Sequence, residues 1–323
     1  MIRIYEWLGM KKKPTIYFLI SFVILLGIYV FFHMPPKEFP LGQIVTINSG
    51  QSLQAITNTL YEARIIRSPF VFRTTVIMLG GEKNVWAGDY LLDHREGPVD
   101  LAYRFVYGKF HLDSRKITIP EGWNIFQIGD YLEKSLINFD KKEFLTITKD
   151  KEGYLFPDTY FVPPTIKPEG VVTLMNNNFN EKIASTPSIA TSTFKLKDII
   201  IMASLVELEA RTTESRKIIA GILWKRLSLG MPLQVDSVFL YINGKNTYEL
   251  TTMDLKIKSP YNTYLYKGLP RGPIGNPGLD ALQSTVDPTK TKYLYFLSSH
   301  DGAMHYAKTF EEHKRNREKY LNR

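Results

Sequence analysis

Residues 15–34, TIYFLISFVILLGIYVFFHM, form twenty consecutive positions without a formal charge. A helix rises 1.5 Å per residue, so a run of this length matches the roughly 30 Å hydrocarbon core of a bilayer, where a helix keeps every backbone polar group satisfied. Lys11, Lys12 and Lys13 precede the run, and Pro35, Pro36, Lys37 and Glu38 follow it. The positive-inside rule therefore leaves the N-terminus in the cytoplasm and puts everything after Pro35 on the outer face of the cytoplasmic membrane, in a single-pass protein. A cleaved signal peptide is the rival reading. The run is longer than a signal h-region and lacks a small-residue cleavage site, which favours an uncleaved anchor.

That topology bears on the composition. The chain has no cysteine, which removes disulfides, thiolate metal sites and cysteine nucleophiles and suits an exported protein. Six histidines are scattered without ligand-like spacing, so neither a metal site nor any cofactor is expected. The net charge is +9, of which Arg3, Lys11, Lys12 and Lys13 against Glu6 supply three. The mild remainder fits an anionic polymer or surface, and no aromatic-basic signature of a nucleic-acid module accompanies it, so nucleic acid is not an expected partner.

After a short linker the chain repeats itself. IVTINSGQSLQAITNTLYEARII, residues 44–66, has a counterpart in KITIPEGWNIFQIGDYLEKSLI, residues 116–137. Setting Gly50 against Gly122 superposes Leu53 on Ile125, Ile56 on Ile128, Leu60 on Leu132 and Ile65 on Ile137. Each copy reads as a short alternating strand, a glycine turn and a helix with apolar positions at i, i+3 and i+7. AGDYLL, residues 87–92, reads as a strand returning to the first copy. The unit resembles the LysM-like modules of cell-wall enzymes, which implies contact with glycan; a plain packing role has equal standing. EGYLFPDTYFVPP, residues 152–164, follows; its aromatics suit a sugar face if exposed and a hairpin core if buried, the second being the default.

The run DIIIMASLVELEAR, residues 198–211, has a helix-forming apolar composition with Asp198 in its first turn, and it carries Glu207 and Glu209. Two residues along a helix turn the side chain by about 200°, so the two carboxylates cannot face each other. A carboxyl with small apolar neighbours, as Glu207 has in Ala203, Ser204 and Ala210, holds its proton to higher pH, which a general acid needs. The competing reading is a surface Glu207–Arg211 ion pair. Thr212 or Thr213 can cap a second helix carrying Ile219, Ile222, Leu223 and Leu227, which Gly230 can end. Gln234 and Asp236 follow. SPYNTYLYKGLPRGPIGNPG, residues 259–278, is too rich in glycine and proline for regular structure and reads as a functional loop headed by Tyr261, Asn262, Thr263 and Tyr264. YLYFLSS reads as a strand, and HYAKTFEEHKRNREKYL as a closing basic helix.

Taken in order, the anchor, EGYLFPDTY, ASLVELE, the Leu233–Gln234 and Asp236 segment, SPYNTY with GLPRGPIGNPG, and KTKYLYF with HYAKTFEEH resemble the YceG/MltG-like endolytic murein transglycosylases. Val235, Ser237 and Arg271 stand where that pattern has Thr, Pro and Pro, and Leu208 where a lysine is common. The resemblance implies a lyase that cleaves the β-1,4 bond between N-acetylmuramic acid and N-acetylglucosamine in peptidoglycan and leaves 1,6-anhydro ends. It implies Glu207 as the acid and base, action on nascent strands that limits their length, and a peptidoglycan synthase as partner. Gln234, Asp236, Asn262 and Tyr264 are expected to position substrate, although Asp236 also suits a turn and Tyr264 a core. Asp236 and Glu152 remain the candidates for a second carboxylate, should the chemistry need one.

The expected fold is α+β: a single transmembrane helix, small LysM-like α/β modules, and an α+β catalytic domain around the helix that bears the catalytic glutamate. The expected segments are a cytoplasmic tail (1–13), the transmembrane helix (14–34), a linker (35–43), a LysM-like module (44–115), the second βα repeat with its connection (116–186) and the catalytic domain (187–323). The alternative from another class is a non-enzymatic glycan-binding or scaffold protein. The topology has a direct check: a reporter fused at the C-terminus is expected to be active only outside the cytoplasm, and cytoplasmic activity would exclude a wall enzyme.

Overall fold

The computed structural model describes residues 12–321 apart from Ser49 and His300. It comprises a first compact unit ending at Asp113 and a second beginning at Ser114. The junctions expected at 115/116 and 186/187 fall respectively beside this division and inside the second unit.

The first unit opens with α1 (Lys12–His33), whose stretch Ile16–His33 is long and apolar enough to cross a membrane and is not buried against the protein. β1 (Ile44–Ile47) leads through Gly50, at φ +80°, into α2 (Leu53–Glu62), which Ser52 caps by accepting from the Ala55 amide. α3 (Pro69–Met78) follows, capped by Ser68 with proline in its first turn, and β2 (Gly88–Leu91) then returns antiparallel to β1 with Ile44 opposite Leu91. α4 (Pro98–Val106) closes the layer. Leu60, Phe72, Tyr90, Leu92, Leu101 and Phe105 are fully buried between these elements.

The second unit starts with the second copy of the same motif. β3 (Arg115–Thr118) leads through Gly122, again at φ +80°, into α5 (Ile125–Ser135). β3 pairs antiparallel with β4 (Thr159–Val162), so both copies have a returning strand. α6 (Lys141–Ile147) and α7 (Pro168–Ala184) pack on this pair, and Ile117, Ile128, Leu132, Phe144, Leu155 and Val171 fill the space. One superposition fails: Ile65 is buried, but Ile137 is exposed and Leu136 takes the buried place. The first copy turns through left-handed Arg64 (φ +56°) before Ile65, whereas the second leaves its helix with Leu136 extended (φ −115°). The aromatics of residues 152–164 divide the same way, with Phe156 and Tyr160 buried and Phe161 facing solvent.

After a single turn, α8 (Pro187–Ala190), comes α9 (Leu196–Glu209). It is buried continuously from Ile199 to Glu207, because its two sides face different clusters. Met202, Leu205 and Val206 pack with α10 (Thr213–Ser228), Leu233, Val235 and Phe239, whereas Ile199, Ile200 and Ala203 pack with Phe156, Phe179, Ala281 and Leu282. A helix apolar all round belongs inside a protein, and each such side chain contributes about 1.5–3 kcal/mol. Thr212 caps α10, and Gly230, at φ +65°, follows its end. α11 (Val238–Asn243), α12 (Leu279–Val286), the antiparallel pair β5 (Tyr295–Ser298) and β6 (Met304–Ala307), and α13 (Phe310–Tyr320) complete the unit. His305, Tyr306 and Ala307, read in the sequence as the start of the closing helix, lie instead in β6, because Thr309 caps α13 only after them.

The glycine-proline loop before α12 is held by bonds outside itself. Ser204 of α9 accepts from the Ile274 amide at 3.1 Å, and the turn of the second repeat bonds to Asn276 through Gly122 N–H to Asn276 O (2.8 Å) and Asn276 N–H to Trp123 O (2.9 Å). The approach leaves no room for a side chain at Gly275, whose Cβ would lie 2.3 Å from the Gly122 carbonyl oxygen. Gly275→Ala is therefore expected to destabilise the protein by about 1–3 kcal/mol, read as a lower unfolding midpoint of the full-length protein in detergent; an unchanged midpoint would mean that the two turns are free to separate.

Candidate active site

α9 delivers its two glutamates to different surroundings. Glu207 is buried. Its Oε2 accepts from the Gly278 amide at the start of α12 (2.9 Å), and its Oε1 accepts from Arg216 Nη2 (2.5 Å). Arg216, on α10, also donates to Asp280 (2.6 Å) and to the Ala210 carbonyl (3.2 Å), and it lies 3.8 Å from Glu121. Burial raises the Glu207 pKa, while the Gly278 amide and the Arg216 charge pull it back. The partner is thus Arg216 and not Arg211, which is exposed. Nothing in the sequence marks Arg216, since the pairing depends on how α10 folds back on α9.

Glu209 is half-buried as a whole residue and leaves the helix on another side, where the Ser237 amide donates to its Oε1 over a long 3.4 Å. No ion pair reaches it among the described residues. Burial pushes its carboxyl up to about 7, opposed by Ser237 and reinforced by the neighbouring Asp236 charge. Asp236 accepts a hydrogen bond from the Tyr264 hydroxyl. Burial raises the pKa of Asp236, and burial together with the Asp236 and Glu209 charges raises that of Tyr264. Beside them Arg226 Nη2 donates to Gln234 Oε1 at 2.7 Å.

The backbone explains why Gln234 reaches this place. Leu233 and Val235 are buried, and the chain between them meets the loop through Gln234 N–H to Thr263 O (3.1 Å) and Val235 N–H to Thr263 Oγ1 (3.0 Å). Gln234 itself adopts φ +50° and is exposed. A non-glycine residue in the left-handed region costs energy, so the surrounding bonds hold it there. Of the four side chains expected to position substrate, Asp236 and Tyr264 stand near Glu209, and Gln234 is tied to Arg226. Asn262 does not join them. It is buried, its amide nitrogen donates to the Leu255 and Ile257 carbonyls (3.0 and 2.9 Å) and its oxygen accepts from the Tyr264 amide (2.9 Å), so it shapes the loop.

Glu152, the other second-carboxylate candidate, lies in the packing beneath the loop. It accepts from the Ile125 amide at the N-terminus of α5 (3.2 Å) and from Asn276 Nδ2 (3.0 Å). Burial pushes its carboxyl up to about 8 against these bonds. The folded protein therefore keeps a proton that the unfolded chain releases at about pH 4.3, so its contribution to stability is full below that pH and is lost as pH rises towards about 8. Glu152→Gln, a neutral mimic, is expected to flatten the fall of the thermal midpoint between those limits; an unaltered pH profile would mean that Glu152 ionises as easily in the folded state.

Residues 45–319 match the model of the YceG-like family. An endolytic murein transglycosylase of Bacillus subtilis (strain 168) is 32% identical over 318 residues, covering 89% of this chain and 88% of the relative. One from Streptococcus pneumoniae (serotype 2, strain D39) is 29% identical over 360 residues, covering 94% of this chain and 65% of the relative. A crystal structure of a YceG-like protein from Listeria monocytogenes, 29% identical, superposes with a TM-score of 0.58 over 84% of this chain and 98% of that one.

Proposed function

The chain belongs to the YceG-like family, and from that premise we propose that it is a membrane-anchored endolytic peptidoglycan transglycosylase that cleaves the MurNAc-β-1,4-GlcNAc bond, with Glu209 as acid and base. The observation that carries the assignment is the gathering of Asp236 and Tyr264 near Glu209. Glu207, the acid expected from the sequence, has both oxygens engaged by donors that favour the carboxylate, one of them a cation. Its role in this reading is to join α9, α10 and the start of α12. Glu209 has no cation to displace among the described residues and holds its proton to about pH 7.

Protonated Glu209 donates to the glycosidic oxygen as the C1–O bond breaks, and the oxocarbenium-like centre gains from the negative charge of Asp236. The Glu209 carboxylate then accepts the proton of the muramic C6 hydroxyl as that oxygen bonds to C1, which restores the acid and closes the 1,6-anhydro ring. Tethering supplies the proximity that a water molecule lacks. The anchor places this chemistry at the outer face of the membrane, where nascent strands emerge. A hydrolase using Asp236 as its second carboxylate is the second reading, favoured by Asp236 standing next to Glu209.

Full-length protein incubated with purified glycan strands tests these points together. Glu209→Gln is expected to lose at least ~100-fold in rate with its thermal midpoint retained, while Glu207→Gln keeps more activity and loses stability. The wild-type rate should fall as pH rises through about 7. Mass spectrometry should find product ends lighter by one water than hydrolytic ends. The opposite ranking of the two variants would return the acid to Glu207, labelled solvent oxygen in the ends would select the hydrolase, and intact strands would leave only the glycan-binding role.

A further inference from the structure

The first unit holds a cluster of side chains that the proposed reaction does not use. Asp93 and His94 follow β2, whereas His111 lies beyond α4, and a separation of that length carries no ligand signature in sequence. Buried Arg104 of α4 draws the two turns together by donating to the carbonyls of Leu91 (2.8 Å), Lys109 (3.0 Å) and Phe110 (3.2 Å). His111 sits at φ +53°, a conformation that the surrounding bonds must sustain.

Asp93 Oδ1 lies 2.9 Å from His94 Nδ1 and 3.1 Å from His111 Nδ1, and Asp93 Oδ2 lies 3.2 Å from the same His111 nitrogen. One ligand atom from each of the three residues falls within 4.8 Å of the others. A tetrahedral ion about 2.0–2.1 Å from its ligands holds them roughly 3.3 Å apart, so small side-chain rotations suffice. The far nitrogen of His94, Nε2, faces Glu96 Oε1 at 3.3 Å, and Glu96 is buried. A buried carboxylate behind an imidazole is the arrangement that orients metal-bound histidine and raises its basicity. Arg104 opposes a cation, since it lies 4.0 Å from Asp93 Oδ1, but it is ion-paired with Glu96. Two carboxylates against one guanidinium leave the site with net negative charge. Without an ion the same contacts are hydrogen bonds from two imidazoles to one aspartate, and measurement has to separate these two states.

We propose that Asp93, His94 and His111 bind a divalent transition ion, Zn²⁺ foremost, with Glu96 orienting His94. Two imidazoles and one carboxylate suit the borderline transition ions, whereas Ca²⁺ and Mg²⁺ prefer sets made wholly of oxygen. The ion would close the segment that contains α4 into a loop and so strengthen the first unit, independently of the carboxylates on α9.

The test uses the full-length protein in detergent, with any affinity tag removed and bound metals stripped by a chelator that is then dialysed away. Titration with Co²⁺ is expected to give visible absorption bands of a tetrahedral site saturating at one equivalent, and Zn²⁺ should displace them and raise the thermal midpoint. His94→Ala and His111→Ala should abolish the bands, and Glu96→Gln should weaken binding by about ten-fold or more while leaving the ligands in place. Binding should also fall on acidification, because the imidazoles must be neutral to ligate. Absence of saturable binding by Co²⁺ and Zn²⁺, or equal binding by a His94→Ala/His111→Ala double variant, would overturn the proposal and leave an aspartate hydrogen-bonded to two histidines.

Discussion

A loop of glycine and proline can hold its place beside α9 only if its polar groups find partners outside any sheet or helix, and here Asn276 makes several of those bonds. Its side chain donates to the Trp123 carbonyl and to Glu152 and accepts from the Leu155 amide, while its backbone pairs with the turn at Gly122 and Trp123. One buried residue thereby joins the second repeat, the segment after α6 and the loop that leads into α12. Backbone groups left unpaired in that interior would cost about 1–3 kcal/mol each, so these bonds favour the observed path of the loop despite its composition. Gly278 then stands where its amide meets Glu207, and Ser204 holds Ile274 against α9.

The separation of the two glutamates follows from helix geometry and from the neighbours that each direction meets. Glu207 turns towards α10 and α12, where Arg216 and a helix N-terminus stabilise negative charge. Glu209 turns towards Ser237, Asp236 and Tyr264, where burial and a second carboxylate favour the proton. Burial raises both carboxyls, but the Gly278 amide and the Arg216 charge oppose it at Glu207, whereas Asp236 adds to it at Glu209 on the same helix.

Much of this was legible in the chain. The apolar run, the glycine turns of both repeats, the buried helix α9, its threonine-capped successor and the irregular loop are all local patterns, governed by periodicity, capping and backbone freedom. What escaped depends on contacts between distant segments. Arg211 is the partner that helical spacing offers Glu207, and only the fold-back of α10 brings Arg216 to it instead. Asn262 heads a loop that reads as functional, yet its amide is consumed by the carbonyls of Leu255 and Ile257. Small apolar neighbours along the helix set Glu207 apart in the sequence, whereas the surroundings of the two carboxyls come from residues up to 71 positions away.

The repeat shows how the same local sequence can serve two purposes. Both copies turn at a glycine with φ +80°, yet a Cβ at Gly50 would meet nothing within 4 Å among the described residues, whereas one at Gly122 would lie 2.9 Å from Leu208 Cδ2 and 3.3 Å from Glu207 Cγ. In the first copy glycine answers to backbone conformation. In the second the missing side chain lets the turn lie directly against the helix that carries the glutamates, and the adjacent Glu121 faces Arg216 at 3.8 Å. The second copy therefore packs directly on the Glu207 side of α9. Any variation at Gly122 has to satisfy the packing of α9 as well as a left-handed turn, a double constraint from which Gly50 is exempt.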